Sequence, residues 1–299
     1  GSKGSDGLDP TSINRMLSAL RSFLKFRIEW DLEIPVPPDA IGMMKAEKRI
    51  KKVASKEELI KLIECPMEFE KQENVALRNR CMLEMLFATG MRISELISID
   101  LDQLNVEGKL YILGKGKKER TVYMTQRSLF WLNNYLKIRL RYSLLELEKK
   151  EKEERSFTIG RETSDGEELS DLALEMFEGE YKYIKLLENY RENGHLKKFD
   201  SPALFIPFSG GRNGKHADRI STNYFQEKIA EYRKKLGIQI PTSAHSLRHG
   251  FATYLAEDGA SPVALQVLLG HSSLNTTTKY VHATEKFAEE TVKQHHPLK

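Results

Sequence analysis

The sequence predicts a mostly α-helical protein with one small antiparallel β-sheet. Apolar residues recur at helical spacing along much of the chain, from Thr11–Trp30 near its start to Thr284–Gln294 near its end. Two short segments, Lys109–Leu113 and Arg120–Met124, instead alternate in polarity, and the glycine- and lysine-rich turn Gly114–Lys118 joins them. We therefore expect a helical body that carries a single basic hairpin.

The first 54 residues predict one helix followed by a linker. The opening GSKGSDG is typical of an expression scar, so we expect the natural N-terminus to be missing. Helix Thr11–Trp30 has an apolar face that it cannot bury alone. Residues 33–54 combine early prolines with a run of cations, so they form either a solvated tether or a strap across a nucleic-acid backbone. The cations of this linker are Lys45, Lys48, Arg49, Lys51 and Lys52.

Local capping signals predict the helices that follow. Ser55-Lys-Glu-Glu58 is a capping box, so a helix begins there. Asn74–Ala88 is a mostly buried helix, and Gly90 suits its C-terminal cap. A new short helix begins at Arg92, which the backbone on both sides of the turn would hold rigidly. Thr125 can cap the helix that follows the hairpin.

Residues 143–203 differ in character from the rest and predict an insertion. A charge run and a polar stretch precede Leu172–Tyr190, a helical segment with an aromatic stripe. Residues 146–192 hold 15 acidic and 8 basic side chains, a net charge of −7 in a chain whose total is +4. The remainder therefore carries +11 and can attract phosphates. We expect the insertion to be a solvated helical excursion on the surface; masking of the basic body and contact with a partner subunit are the alternatives.

The C-terminal third predicts a short buried segment and several capped helices. Ser261 and Pro262 are the residue types favoured at an N-cap and at the first helical position. The predicted elements are Leu204–Pro207, the helices Ser221–Leu236 and Ser243–Asp258, a helix from Pro262 that stops at Gly270, the short helix Thr276–His282 and the terminal helix Thr284–Gln294.

Composition indicates an intracellular, cytoplasmic protein. The two cysteines, Cys65 and Cys81, are too few for a disulfide scaffold, and Cys81 lies in an apolar run typical of a buried thiol. No apolar run reaches the length of a membrane span, and no signal peptide is visible. We therefore expect no membrane partner.

The stretch Ser243–Tyr280 contains the residue types that a metal-free attack on a phosphodiester needs. His245 and Arg248 are three residues apart and leave one face of a helix, which His249 could join. His271 follows a helix-ending glycine, and a tyrosine stands nine residues later.

Other phosphate and metal chemistries find no support in the sequence. The pair His245 and His249 lacks the glutamate that a His-Glu-x-x-His zinc helix requires. Gly210–Lys215 has the wrong spacing for a phosphate-binding loop, and His216 stands where Ser or Thr is needed. No Gly-x-Ser-x-Gly elbow and no carboxylate cluster for two metals occur. We therefore expect side-chain cations to do this work, without a metal or cofactor.

Those side chains are chemically suited to phosphoryl transfer. Arginine binds two phosphate oxygens with its planar fork and stays charged, so two arginines could replace a metal ion at a pentacoordinate transition state. Lysine is a better proton donor because neighbouring cations lower its pKa. Tyrosine as a nucleophile needs nearby cations or a base, since only about 0.1% of a free phenol is ionised at neutral pH.

Five segments form a joint pattern that is more specific than any one of them. They are Ala88–Leu96, Gly114–Arg120, His245–His249, Leu268–His271 and Tyr280–His282. In their order, in the nine-residue step from His271 to Tyr280 and in the closing His-His-Pro, they resemble the tyrosine recombinase (lambda integrase-like) family, closest to its Xer-like branch. The resemblance covers about 53–142 and 204–299.

The resemblance implies a role for each matching residue. Arg92 and Arg248 clamp the non-bridging oxygens of the scissile phosphate, and Tyr280 attacks it to form a 3′-phosphotyrosyl bond. Lys115 protonates the leaving 5′-oxygen. The supporting residues are His245 for proton transfer at the tyrosine, His271 for a hydrogen bond to the phosphate, and Glu95 and His249 behind them. Expected contacts to DNA are Lys117, Lys118, Arg120 and the five linker cations.

The resemblance also implies the fold and the setting. Residues 55–299 form a tyrosine recombinase catalytic domain, 33–54 a basic linker, and 1–32 a remnant of a helical core-binding domain. We expect a site-specific recombinase of the prokaryotic cytoplasm and nucleoid, active without metal or ATP. It would bind a double-stranded recombination site as a dimer and form a tetrameric synapse through Thr284–Gln294. A type IB topoisomerase-like strand passer and a DNA-binding accessory protein with a decayed site are the alternatives, and chromosome dimer resolution and mobile-element integration both stay open.

Overall fold

The computed structural model describes residues 8–45, 54–114, 119–157, 180–199, 201–208 and 219–270, with side chains in 119–157 described as far as 147. The chain divides into two compact units, Gly1–Lys52 and Val53–Lys299. None of the described helices combines the length and hydropathy that a membrane span requires.

The first unit contains the predicted N-terminal helix. Helix α1 spans Pro10–Glu29; Asp9 caps it and proline occupies its first position. A single 3₁₀ turn, Pro38–Ala40, follows. Leu24 is the buried apolar residue of α1, whereas many of its other large apolar side chains are exposed, namely Met16, Leu20, Phe23, Phe26 and Ile28. Lys45 of the linker is exposed, and the other four linker cations lie outside the described residues.

The second unit contains the body of the protein. Its helices up to the hairpin are α2 Lys56–Glu64, α3 Pro66–Phe69, α4 Glu73–Thr89 and α5 Ile93–Ile97. After the hairpin come α6 Gln126–Phe157, α7 Lys182–Glu192, α8 Thr222–Lys235, α9 Ala244–Glu257 and α10 Pro262–Leu269. The predicted capping box at Ser55 is confirmed, because both of its hydrogen bonds form.

Helix α4 runs through the centre of this unit. It packs against α3, α6 and α9, and most of its residues are buried, including the polar Arg78, Asn79 and Glu84. A helix with neighbours on several sides needs apolar residues around its whole circumference, which explains why its sequence lacks a single apolar stripe. Cys65 and Cys81 are buried free thiols, and burial raises the pKa of both, that of Cys65 to about 12.

The hairpin forms nearly as predicted. Strands β1 Lys109–Leu113 and β2 Glu119–Tyr123 pair antiparallel, with Lys109 opposite Tyr123 and Leu113 opposite Glu119. The second strand begins and ends one residue earlier than its alternation indicated. Leu110, Ile112 and Val122 are buried against the helical body, so alternation sends one face of the hairpin to the core.

The described C-terminal part of the predicted insertion, residues 180–199, packs into the body and is not a solvated excursion. Helix α6 continues past position 143, and α7 contributes Tyr183, Ile184, Leu187 and Tyr190 to the hydrophobic core. These four residues recur at helical spacing, so α7 has an apolar face that packing against α6 removes from water.

Polar contacts also attach α7 to the loops next to the hairpin. Glu188 accepts a hydrogen bond from the Val106 N–H at 3.2 Å. Arg191 donates to the carbonyl oxygens of Asp102 at 2.9 Å and Leu104 at 3.2 Å. The expectation of a solvated excursion is therefore wrong for α7, which is part of the packed body.

The C-terminal helices follow the sequence prediction as far as the structure describes them. Ser221, Ser243 and Ser261 cap α8, α9 and α10. The segment before α8 is buried at Leu204 and Phe205, and Ala203 forms an isolated antiparallel bridge with Asp100. The predicted helices Thr276–His282 and Thr284–Gln294 lie outside the described residues.

Candidate active site

A tight glycine turn joins α4 to α5 and delivers Arg92. Gly90 adopts φ +61°, a left-handed conformation that favours glycine. A Cβ atom at this position would lie 2.3 Å from Cδ1 of Phe251 in α9. Only a glycine therefore allows α9 to approach the turn this closely, and Arg92 follows two residues later as the N-cap of α5.

Glu95 holds Arg92 by two contacts. The Arg92 backbone N–H donates to Oε2 of Glu95 at 2.7 Å, and its Nη1 donates to Oε1 at 2.7 Å. The Arg92 side chain is 36% exposed, whereas that of Glu95 is 6% exposed. The buried carboxylate therefore holds an arginine whose side chain is partly exposed.

Arg120 binds the same carboxylate from the other side. Its Nη1 and Nη2 donate to Oε1 and Oε2 of Glu95 at 2.9 and 2.6 Å, and its Nε donates to the Leu268 carbonyl at 3.0 Å. Its side chain is only 6% exposed. Arg120 was expected to contact DNA. Alternation places its side chain on the inner face of β2 with Val122, where its charge pairs with Glu95.

The two arginines keep Glu95 ionised. Burial on its own raises the pKa of the Glu95 carboxyl, but the hydrogen bonds from Arg120 and from the Arg92 backbone outweigh burial and lower that pKa to about 2. The carboxylate is therefore negative at every working pH and can accept all four hydrogen bonds.

Arg248 connects three parts of the chain. It is 4% exposed, lies in α9, and donates from Nη1 to the Gly90 carbonyl at 2.7 Å and from Nη2 to the Leu269 carbonyl at 2.5 Å. The first bond brings it to the turn that carries Arg92. The second attaches it to the end of α10, where unpaired carbonyls and the helix dipole favour a cation.

The histidines of α9 lie one turn apart at its N-terminal end. His245 is exposed and His249 is half-buried, and both have contacts within the protein. His245 is in the first turn of the helix, three residues before Arg248. Gly250 allows the helix to pack closely, since a Cβ atom there would lie 2.6 Å from Cδ1 of Leu59.

The remaining predicted site residues lie outside the described residues. They are Lys115, Lys117 and Lys118 in the hairpin turn, and His271 and Tyr280 beyond α10. The described chain reaches Gly114 and Gly270, the residues immediately before Lys115 and His271. The structure thus brings together Arg92, Glu95 and Arg248. It adds Arg120, which the sequence reasoning had given as a DNA contact, to the same cluster. In the described part of the chain, no group of three His, Cys, Asp or Glu side chains could hold a metal ion.

Comparison with known proteins identifies the family of this chain. The family model described as "Phage integrase family" matches residues 52–286. The chain is 28% identical to tyrosine recombinase XerD of Pseudomonas putida over 292 residues, covering 97% of this chain and 77% of the relative. It is 29% identical to XerD of Chlorobaculum tepidum over 292 residues, with the same coverage.

Solved structures show the same fold at low sequence identity. The Tn1549 transposon integrase in complex with circular intermediate DNA has a TM-score of 0.56 at 18% identity, covering 96% of this chain and 80% of that one. The XerH site-specific recombinase in its post-cleavage complex with a palindromic difH substrate has a TM-score of 0.54 at 20% identity, covering 97% and 66%. Because the family match spans well over half of the sequence, this chain belongs to the phage integrase family, and it is a tyrosine-type site-specific DNA recombinase.

Proposed function

We propose that this recombinase cleaves its DNA by attack of Tyr280 on a phosphodiester, with Arg92 and Arg248 as the phosphate clamp. One observation carries the proposal: Arg248 donates to the carbonyl of Gly90, which brings two arginines separated by 156 positions to one turn. Two guanidinium groups held in this way can stabilise the charge of a pentacoordinate phosphate.

The other roles follow from chemistry and sequence position. Attack by the phenol oxygen forms the 3′-phosphotyrosyl bond and breaks the bond to the 5′-oxygen, which Lys115 protonates. His245 accepts the phenol proton and His271 donates a hydrogen bond to the phosphate. Because the bond energy is kept in the ester, a second 5′-hydroxyl reseals the strand without ATP or a metal ion.

The assembly and the cellular setting are further parts of the proposal. We infer a dimer on each double-stranded site and a tetramer in the synapse, with Thr284–Gln294 docked on a neighbouring subunit. The setting is the prokaryotic cytoplasm, at the nucleoid. Recombination of chromosome dimers and movement of a mobile element are both compatible with the site. The exposed Lys45 begins the cation run that we propose crosses the DNA backbone.

A covalent trap tests the nucleophile. A library of nicked suicide duplexes is incubated with the protein, denatured, and the attached DNA is sequenced to identify the site. Tyr280→Phe should abolish the adduct, whereas the matched control Tyr111→Phe, at an exposed tyrosine of the hairpin, should keep it. An adduct formed by Tyr280→Phe would show that another residue is the nucleophile. Loss of the wild-type adduct in EDTA would refute the side-chain-cation mechanism.

A further inference from the structure

Arg120 is a buried cation whose contacts join three segments of the site. Its guanidinium holds both oxygens of Glu95 and the Leu268 carbonyl, and it sits on β2, the strand that follows the hairpin turn. Glu95 in turn holds Arg92. The Leu268 carbonyl belongs to the last turn of α10, from which the chain continues to His271.

The end of α10 is built to receive this side chain. Gly270 adopts φ +63°, and a Cβ atom there would lie 2.9 Å from Cδ of Arg120. Arg248 binds the next carbonyl along, that of Leu269. Two arginines from different elements therefore complete the carbonyl end of one helix, which is the end where cations are most favourable.

Arg120 also decides how Glu95 acts on Arg92. With Arg92 as its only partner, a buried glutamate would form a one-to-one ion pair and neutralise the cation that should meet the phosphate. With Arg120 bound to both oxygens, the negative charge of Glu95 is already balanced. Glu95 then aligns Arg92 through one side-chain and one backbone hydrogen bond, and the charge of Arg92 stays available to DNA.

We propose that Arg120 is a positioning residue for strand cleavage, which aims Arg92 through Glu95 and fixes the end of α10. This role rests on the proposed function, since it assigns to Arg92 the scissile phosphate. Lysine cannot replace Arg120 fully, because an ammonium group lacks the planar fork that reaches two carboxylate oxygens and a carbonyl at once.

The experiment compares Arg120→Met and Arg120→Lys with Arg139→Met. Arg139 is a matched control: it is fully buried and, like Arg120, donates to backbone carbonyls, those of Ser201 and Ala203. Each variant is checked by circular dichroism and gel filtration at a temperature where it is folded. DNA affinity and the single-turnover rate of adduct formation at saturating protein are then measured separately.

A positioning role predicts a fall in rate with little change in affinity. Arg120→Met should lose about a hundredfold in cleavage rate, the cost of a small misplacement of a catalytic group. Arg120→Lys should recover part of that loss, and folded Arg139→Met should cleave at nearly the wild-type rate. On a duplex with a neutral methylphosphonate at the scissile position, the ratio of the wild-type to the Arg120→Met cleavage rate should be about tenfold smaller. The reason is that Arg92 stabilises less negative charge on this substrate.

Equal losses in Arg120→Met and Arg139→Met per folded molecule would overturn the positioning role, and so would a defect that the methylphosphonate leaves unchanged. If Arg120→Met cleaved DNA at the wild-type rate, the positioning role would be overturned but the proposed function would stand. Failure of the wild-type protein to form any adduct would overturn both.

Discussion

Two arginine–glutamate clusters lie along α4 and at its C-terminal end, and they differ in their balance of charge. The site cluster at its C-terminal end comprises Arg92, Arg120, Arg248 and Glu95, three guanidinium groups to one carboxylate. The balanced cluster lies between α4 and the helices on either side of it, and comprises Arg80, Glu84, Arg127 and Glu64, two of each sign.

Under the proposed function, this difference separates a structural use of buried charge from a functional one. In the balanced cluster Glu84 binds both Arg80 at 2.7 Å and Arg127 at 2.8 Å, and Arg80 also lies 4.4 Å from the ring centre of Trp131. Its charges satisfy one another. In the site cluster several hydrogen bonds of the arginines go to carbonyl oxygens, which orient a guanidinium without cancelling its charge. A site that binds the negatively charged pentacoordinate transition state of a phosphodiester benefits from this surplus of positive charge.

Removing the exposed cation of the site cluster should have the largest effect. Arg92→Met should slow adduct formation about a thousandfold, because an arginine on a transferring phosphoryl group is worth that much or more. Folding should be preserved, since the Arg92 side chain is 36% exposed. The control is Arg127→Met, whose side chain is 47% exposed and which belongs to the balanced cluster. Similar cleavage losses in the two variants, measured by single-turnover trapping, would contradict the distinction between the clusters.

Neutralising Glu84, the central carboxylate of the balanced cluster, should lower the free energy of unfolding and leave cleavage unchanged. Glu84→Gln leaves Arg80 buried beside the exposed Glu64, and an incompletely paired buried charge typically costs about 3–5 kcal/mol. The measurement is urea unfolding monitored by circular dichroism. Adduct formation per folded molecule should stay near the wild-type rate; a much slower rate would assign the balanced cluster a part in cleavage.

Acid should weaken the site cluster through Glu95. Its pKa is about 2 in the folded protein against an ordinary 4.5, so the unfolded chain binds the proton more readily. The stabilisation is present above about pH 4.5 and is lost as pH falls towards 2, and it amounts to roughly 3 kcal/mol. Unfolding free energies measured across that range should fall less steeply for Glu95→Gln than for the wild type. Parallel curves for the two proteins would show that Glu95 does not carry this dependence.

Glu64, the exposed carboxylate at the rim of the balanced cluster, should have the smallest effect on stability. Glu64 is 48% exposed and binds Arg127 at 2.8 Å, and exposed ion pairs contribute at most about 1 kcal/mol. Glu64→Gln should therefore change the free energy of unfolding by less than that, and less still in high salt. A loss as large as that of Glu84→Gln would mean that the rim and the centre act as one unit.

Helix boundaries were largely predictable because their signals are local. A serine before α2, α8, α9 and α10, and a glycine after α4 and α10, act within one turn of the residues they cap. The position of Arg92 just after a glycine turn followed from the same local rule. The roles assigned to Lys115, His271 and Tyr280 come from the resemblance alone and stay predictions.

The structure places both Arg120 and α7 deeper than the sequence reading did. The resemblance grouped Arg120 with the hairpin lysines as a DNA contact, and the charged segment around α7 was expected to be a solvated excursion. The periodic signal pointed the other way: Arg120 shares its strand face with the buried Val122, and Ile184 and Leu187 share a face of α7. A reading that weighted periodicity above composition would have placed both inside.

The residue types of the site and the helices that carry them were thus determined by sequence, since capping and helical spacing depend on neighbours a few positions away. The partners were decided by the tertiary structure. Arg120 pairs with Glu95 across 25 positions, and Arg248 reaches Gly90 across 158. Where packing excludes water, a buried charge needs such a partner, and no local pattern encodes which distant group will supply it.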